Sequence, residues 1–285
     1  MVWTPEPTYD KPGISVRATT LYYQIVAPIM LPFLSGRLLN LFRCRESKCF
    51  FQRNREHPPT GKEFDKIVHL EPVAQKNGRT EDYLYVESAE EIVACAKVQT
   101  VEFHGWGSRA GAIETPDRMV IDLDPDPKLE FQTVKDAAFQ VHRGFEALGL
   151  ESFALLSGGK GIHIVVPLEP MAEWDEAREF AKQFCVALAE AAPDRFTVTL
   201  RKPQRRGRIF LDFLRNQRTA TAIMPYSARA RVGMGVATPV GWDELKDIDS
   251  AAAFTVADVE QLLQRARSRK LKRWGEAKQR LPMLR

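Results

Sequence analysis

No stretch of the chain approaches the roughly 20 consecutive apolar residues that a membrane-crossing helix requires, and none is expected to span a bilayer. An N-terminal apolar segment with the charged flank and cleavage site of a secretory signal is also missing, as are internal repeats and low-complexity runs. Cysteine is scarce. Cys44, Cys49, Cys95 and Cys185 form no CxxC pair, which suits a reducing cytoplasm better than a disulfide framework. Cys44 and Cys49 with His57 lack the second closely spaced ligand pair of a structural zinc site, so no zinc is expected. An excess of one charge is absent too. The 41 basic and 37 acidic residues leave +4, and a case for a polyanionic partner must rest on local clusters.

With 44% of its 285 residues hydrophobic, the chain can bury one large core or two closely packed lobes. One globular unit is expected, with an N-terminal lobe at 1–105, a catalytic core at 106–255 and a C-terminal basic helix and tail at 256–285. Residues 1–18, rich in Pro, Gly and Thr, read as an irregular arm. A helix over 19–34 follows, with Pro28 and Pro32 counting against its second half, then a strand over 37–45. Ser88 and Glu91 have capping-box spacing for a helix through Lys97, and a strand follows at 100–104. The centre alternates: strand 119–124, helix 131–148, strand 152–156, a glycine-rich turn and strand 162–167. A helix over 173–191 leads to strands 196–200 and 208–213, joined by the basic turn KPQRRGR. The last helix starts near Val256 and ends in the basic run 265–273, expected to be a solvated face. This alternation predicts helices packed on a sheet.

In VIDLDPDP the apolar Val120, Ile121 and Leu123 mark a strand, and period-two geometry puts Asp122 and Asp124 on one face. Like charges that close raise each other's proton affinity, a repulsion that a divalent cation between them removes. Asp126, beyond Pro125, reads as a cap. Asp212 sits inside the apolar run RIFLDFLRN; burying it unpaired is expensive, so it calls for a partner, Arg208, Arg215 or a metal. Three carboxylates on two strands suit two cations. The turn SGGKGIH brings backbone N–H groups, Ser157, Lys160 and His163 to one place, a phosphate-binding chemistry without P-loop spacing. The stretch Arg201 to Arg208, with Arg229 and Arg231, offers a track for a polyanion. Phe50 and Phe51, followed by Gln52 and Arg53, have the means to stack on a base.

Taken in order, GRLLNLFRC, CFFQ, VEFHGWGSR, VIDLDPDP, SGGKGIHIVVPL, GRIFLDFLRN and TAIMPYSARAR resemble the polymerase domain of bacterial ligase D, the end-joining member of the archaeal-eukaryotic primase superfamily, over nearly the whole chain. The resemblance implies an α+β primase-polymerase fold, with mixed β-sheets flanked by helices around a central catalytic cleft. It implies nucleotidyl transfer with two Mn²⁺ or Mg²⁺ ions on Asp122, Asp124 and Asp212. Nucleoside triphosphate phosphates would meet Ser157, Lys160 and His163, with His104, Arg229 and Arg231 lining the same site. Phe50 and Phe51 would stack near the template, with Arg17, Arg43 and Arg53 among the DNA contacts. It further implies a preference for ribonucleotides, short gap filling at broken DNA ends, and a DNA-end-binding Ku protein and an ATP-dependent ligase as partners.

Two departures stand out. The ligase lysine motif and an appended nuclease domain are missing, so a stand-alone polymerase or a fragment of a larger one is expected. The family holds a downstream 5′-phosphate with two N-terminal lysines; one falls at Arg17, and the other has no clear counterpart near Glu6, although Lys11 could substitute. Two other readings stay open on the residues alone: a metal-dependent nuclease using the same acids, and a non-catalytic nucleic-acid-binding module whose acids are structural.

Overall fold

The computed structural model describes residues 16–45, 48–56, 62–75 and 77–282; Glu6, Lys11 and His57 lie outside them. The first helix, α1 (Val16–Leu34), starts earlier than expected and runs unbroken through Pro28 and Pro32. Both prolines are exposed, while Tyr22, Tyr23, Val26, Ala27, Met30 and Leu34 form a buried face. Packing of that face outweighs the roughly 3 kcal/mol that a proline costs inside a helix. Arg17, assigned to an arm from the sequence, is exposed in the first turn of α1.

After α1 come β1 (Arg37–Arg45), β2 (Lys48–Gln52), the short helix α2 (Lys62–Asp65), β3 (His69–Ala74), β4 (Thr80–Tyr85), α3 (Ala89–Lys97) and β5 (Thr100–Arg109). The chain continues with β6 (Arg118–Pro125), α4 (Phe131–Ala147), β7 (Phe153–Leu156), β8 (Ile162–Pro167), α5 (Trp174–Ala191), β9 (Phe196–Thr197) and β10 (Ile209–Asp212). It closes with β11 (Ala222–Ile223), β12 (Thr238–Val240), α6 (Trp242–Leu245) and α7 (Val259–Ala266). The Ser88 capping box on α3 forms as expected, with the Glu91 N–H donating to Ser88 Oγ at 3.2 Å.

The strands make two sheets. One has the order β11-β5-β1-β4-β3, with β2 also paired to β1, and is antiparallel throughout. The other has the order β12-β7-β8-β6-β10-β9 and is mixed, because β9 and β10 run parallel. α1 packs on α3 and α7, α4 on β6 and β8, and α5 on β6 and β9. One buried cluster joins the two sheets, with Tyr23, Leu41 and Phe103 on one side and Ile121, Leu123, Ile164 and Leu211 on the other. Two sheets flanked by helices around one core make the α+β fold that the resemblance implies.

Several local expectations are corrected. Cys44 stands opposite Cys49 in the β1–β2 hairpin, and the two form a disulfide; Cys95 and Cys185 are free and buried. Cross-strand register brings that pair together, which linear spacing does not display. The basic segment between β9 and β10 is a 3₁₀ helix, Lys202–Arg205, in place of a plain turn, and the flanking strands are shorter than expected. The last helix is preceded by a 3₁₀ turn, Val256–Asp258, and ends before most of the basic run. That run is not simply solvated: Arg265 pairs with Glu244 and covers the Phe254 ring, and Leu271 is buried.

Candidate active site

β6 lies between β8 and β10, and its register sets Asp122 opposite both His163 and Asp212. Residues directly opposite in antiparallel strands project from the same face. His163, Asp122 and Asp212 therefore form a row across three strands, and Asp124 comes next on that face of β6. The opposite face holds Ile121, Leu123 and Leu211 in the core, so a slip of one residue would exchange acids for core residues.

Arginines balance these acids. His163 Nε2 lies 3.3 Å from Asp122 Oδ1, and Arg215 donates to Asp122 Oδ2 at 3.1 Å. Arg215 Nε is 3.2 Å from Asp212 Oδ2, so this one guanidinium bridges two carboxylates. It is the partner that the buried acid in RIFLDFLRN demands. Arg215 sits in a 3₁₀ turn, Leu214–Asn216, that is pinned to β6: Asn216 Oδ1 accepts the Val120 N–H and its Nδ2 donates to the Val120 carbonyl, both at 2.7 Å. Arg205 approaches Asp124 at 3.4 Å while its guanidinium lies 3.6 Å from the centre of the Phe210 ring. Asp126 accepts the Lys128 and Gly207 N–H groups and holds a turn, while α4, the helix it was expected to cap, starts after Glu130.

The three acids differ in proton affinity. Burial alone would raise the Asp122 pKa, but His163 and Arg215 outweigh it and hold the carboxyl well below the usual range. Burial and the Asp122 charge raise the Asp124 pKa. For Asp212 burial also wins: Arg215 opposes the rise, and Asp122 adds to it. Among the described residues, no three His, Cys, Asp or Glu side chains converge on one point as a ready ligand set. The donor chemistry nonetheless fits hard divalent cations: three carboxylates share one face, two with raised proton affinity, and an arginine now supplies the counter-charge.

The glycine-rich turn closes the cleft beside the acids. Ser157 Oγ accepts the N–H groups of Gly159 and Gly161 at 3.3 and 3.2 Å. Gly158 has φ +66°, and a Cβ there would lie 2.8 Å from the backbone of Val236. A Cβ on Gly161 would collide with the Leu123 carbonyl oxygen of β6. Only glycine lets this turn lie so flat against β6. The resulting cleft, about 530 Å³, is within the roughly 300–1,000 Å³ of small-ligand sites. Asp122, Asp124, Ser157, Lys160, His163, Arg229 and Arg231 all line it, together with Lys202, Arg205 and Arg215.

His104 stands apart from that cleft, on β5 of the first sheet, with its ring 5.2 Å from that of Phe51. Phe51 is 41% exposed and lines a second cleft with Arg53, and that cleft also reaches Asp212 and Arg215. Arg215 thus lines both clefts. Phe50 points to the other face of β2, as alternation requires, and lies beside the Arg43 guanidinium. Arg43 itself donates to the Val98 carbonyl and to Gln52 and covers the Phe64 ring, a structural placement that gives no support to a DNA contact.

Sequence reasoning missed Glu102. It is 5% exposed, 2.7 Å from His104 Nε2 and 3.2 Å from Arg229 Nε, and it accepts the Ala230 N–H at 2.8 Å. The signal was available, because an acid inside the apolar run TVEFHGW raises the same question as Asp212 does in its own strand.

Acidic strands facing a phosphate-sized cleft walled by arginines suit nucleotidyl transfer, and this protein is a nucleotidyltransferase of the primase-polymerase class. The chain belongs to the family described as LigD, primase-polymerase domain, whose model matches residues 17–269. It is 34% identical over 256 residues to the multifunctional non-homologous end joining protein LigD of Pseudomonas aeruginosa, covering 87% of this chain and 30% of that protein. The LigD of Mycolicibacterium smegmatis is 31% identical over 245 residues, covering 84% of this chain and 31% of that protein. The chain thus spans less than a third of the length of these curated relatives. The polymerase domain from Mycobacterium tuberculosis ligase D, solved in complex with DNA, matches with a TM-score of 0.82 at 26% identity, covering 96% of this chain and 99% of that one.

Proposed function

We propose that this chain extends a DNA primer by template-directed attack of its 3′-hydroxyl on the α-phosphate of a nucleoside triphosphate, filling short gaps at broken ends. The row of His163, Asp122 and Asp212 across three strands, with Arg215 lining both clefts and Asp212 the one beside Phe51, carries this reading. The cleft of the glycine turn takes the triphosphate, and the opening beside Phe51 and Arg53 takes the primer terminus and template. Asp122, Asp124 and Asp212 would hold two Mn²⁺ or Mg²⁺ ions, with Arg215 moving aside from the carboxylates it bridges. Bound there, such ions lower the hydroxyl's pKa and neutralise the leaving pyrophosphate.

The protein's own groups position the substrate. Ser157 and the backbone N–H groups of its turn orient phosphate oxygens, and Lys160, Arg229 and Arg231 oppose the triphosphate charge. His163, buried at 5% exposure with its Nδ1 unpaired, has a free ring nitrogen to offer. His104 lines the approach from the first sheet. Partners in this reading are DNA, a DNA-end-binding Ku protein and an ATP-dependent ligase, at work in the bacterial cytoplasm, with ribonucleotides preferred. Incubation with labelled primer-template separates the readings: a polymerase lengthens the strand, a nuclease shortens it, and a binding module leaves it unchanged.

Gly161→Ala tests the turn. The obstacle to its Cβ is a backbone carbonyl of a paired strand, which cannot rotate away, so the turn must move. Overpacking of this kind costs about 1–3 kcal/mol of stability. A misplaced charge-assisted contact should also weaken nucleotide use by roughly tenfold. Thermal melting and a nucleotide titration check both, and unaltered nucleotide use in the folded variant would detach the turn from the phosphates.

Arg17 bears on the downstream end. Its exposure in the first turn of α1 leaves the guanidinium open to an anion, and a 5′-phosphate on gapped DNA should raise affinity by roughly one power of ten. Arg17→Ala should remove most of that preference. Binding of 5′-phosphate and 5′-hydroxyl gaps at fixed salt decides it, and a preference untouched by the substitution would place the pocket elsewhere.

A further inference from the structure

We infer that Glu102 is the positioning residue of the nucleotide site, holding the loop that carries Arg229 and Arg231 at the distance from the glycine turn that a triphosphate requires. The inference rests on the proposed nucleotide site. Past β11, the loop 224–231 runs alongside β5 without forming a strand, and side chains take over the role of a ladder. The Phe103 N–H donates to Ser227 Oγ at 2.8 Å, the Met224 N–H to the Phe103 carbonyl at 3.0 Å, and the Ala228 N–H to Tyr23 Oη at 3.0 Å. Beyond Ala228, Glu102 alone ties this loop to β5 among the described hydrogen bonds and ion pairs, through the Ala230 N–H and Arg229 Nε.

Arg229 then reaches the other sheet. Its NH1 donates to the Ser157 carbonyl at 2.9 Å, at the start of the glycine turn. Glu102, Arg229 and Ser157 thus form a chain of contacts from the first sheet to the phosphate-binding turn of the second. The same carboxylate accepts from His104 at 2.7 Å, so one buried group orients two side chains assigned to the nucleotide. Burial alone would raise its pKa, but the hydrogen bond from His104 and the charge of Arg229 hold it at about 2, and it stays ionised at neutral pH. A buried acid that satisfies three partners fixes their geometry, because each alternative leaves a polar group unpaired. Glu102 does not line the cleft itself, so it acts through Arg229 and His104.

The test compares Glu102→Gln, Arg229→Ala and the double variant in primer extension with Mn²⁺ and titrated ATP. Glu102→Gln keeps the shape and one acceptor but loses the charge. It should raise the apparent KM for ATP by one to two powers of ten, with a much smaller change in kcat and unaltered affinity for primer-template. In the Arg229→Ala background the same substitution should add little to KM, since the two act as a unit. Full additivity of the two, or a wild-type KM in folded Glu102→Gln, overturns the inference. Should Glu102→Gln fail to fold, Glu102→Asp keeps the charge and withdraws it from the loop. It should still raise KM, and a wild-type KM there overturns the inference as well. Failure of the wild-type chain to use ATP at all would instead overturn the proposed function on which the inference stands.

Discussion

Replacing Asp122 with alanine is expected to lower primer extension by roughly 10³-fold, equivalent to about 4 kcal/mol at 1.36 kcal/mol per power of ten. Asp122 is central because its register places it against both His163 and Asp212, and His163 and Arg215 keep it anionic. Without it, the face loses the one carboxylate that faces both neighbours, and the remaining two acids cannot anchor a pair of cations. The fold should survive, because Arg215 keeps Asp212 as a partner. Affinity for primer-template should not fall, since the change removes a negative charge from a surface facing phosphates. Single-turnover extension, circular dichroism and duplex binding measure the three together. A folded variant that extends near the wild-type rate would remove Asp122 from the chemistry.

The second large effect concerns stability, at a cluster away from the cleft. Arg37 is buried and forms two hydrogen bonds of 2.7 Å to Asp117, which also accepts from Arg109 at 2.8 Å; Arg118 is close enough to be felt there. Arg37 further donates to the carbonyls of Phe33 and Trp106, joining the end of α1 to β5. Asp117→Asn would leave these arginines facing a neutral group, and breaking a buried pair on one side costs about 3–5 kcal/mol. Burial opposes ionisation of Asp117, but Arg37 and its neighbours dominate and lower its pKa from the usual carboxylate range to about 2. The sign follows from linkage. The folded pKa lies below the unfolded one, so the contribution is complete above pH of about 4 and is lost as pH falls through about 2. Urea unfolding of wild type and Asp117→Asn at pH 7 and pH 3 tests it, and the gap should narrow at the lower pH. A gap that widened on acidification would show that Asp117 is not the group responsible.

The parts of this molecule legible in the sequence are those whose signal is local. Period two in VIDLDPDP placed Asp122 and Asp124 on one face, the isolated acid in RIFLDFLRN required a partner such as Arg215, and the capping-box spacing located α3. What stayed hidden depends on register between distant segments. The Cys44–Cys49 bond and the row linking His163 to Asp122 and Asp212 arise from strand pairing, and Arg229 and Ala230 reach Glu102 from a distant loop; linear spacing encodes none of these. Pro28 and Pro32 misled for a related reason, since local propensity counts against the helix while tertiary burial of Tyr22, Tyr23, Val26 and Met30 decides it. The likeness to ligase D polymerase domains supplied the order of motifs; the coordinates added which side chains meet. Arg43 shows the difference, since the resemblance sets it among the DNA contacts while the structure gives it hydrogen bonds to Val98 and Gln52.

The acids of β6 and β10 are expected to support template-directed nucleotidyl transfer. This is tested most directly by incubating the wild-type chain with a labelled, gapped primer-template and each of the four ribonucleoside and deoxyribonucleoside triphosphates in turn, with and without Mn²⁺. A strand one nucleotide longer is expected for the triphosphate complementary to the template base, strongest with ribonucleotides, absent without metal and reduced roughly 10³-fold in Asp122→Ala. A shortened strand, or a strand bound but unchanged under every condition, would contradict it.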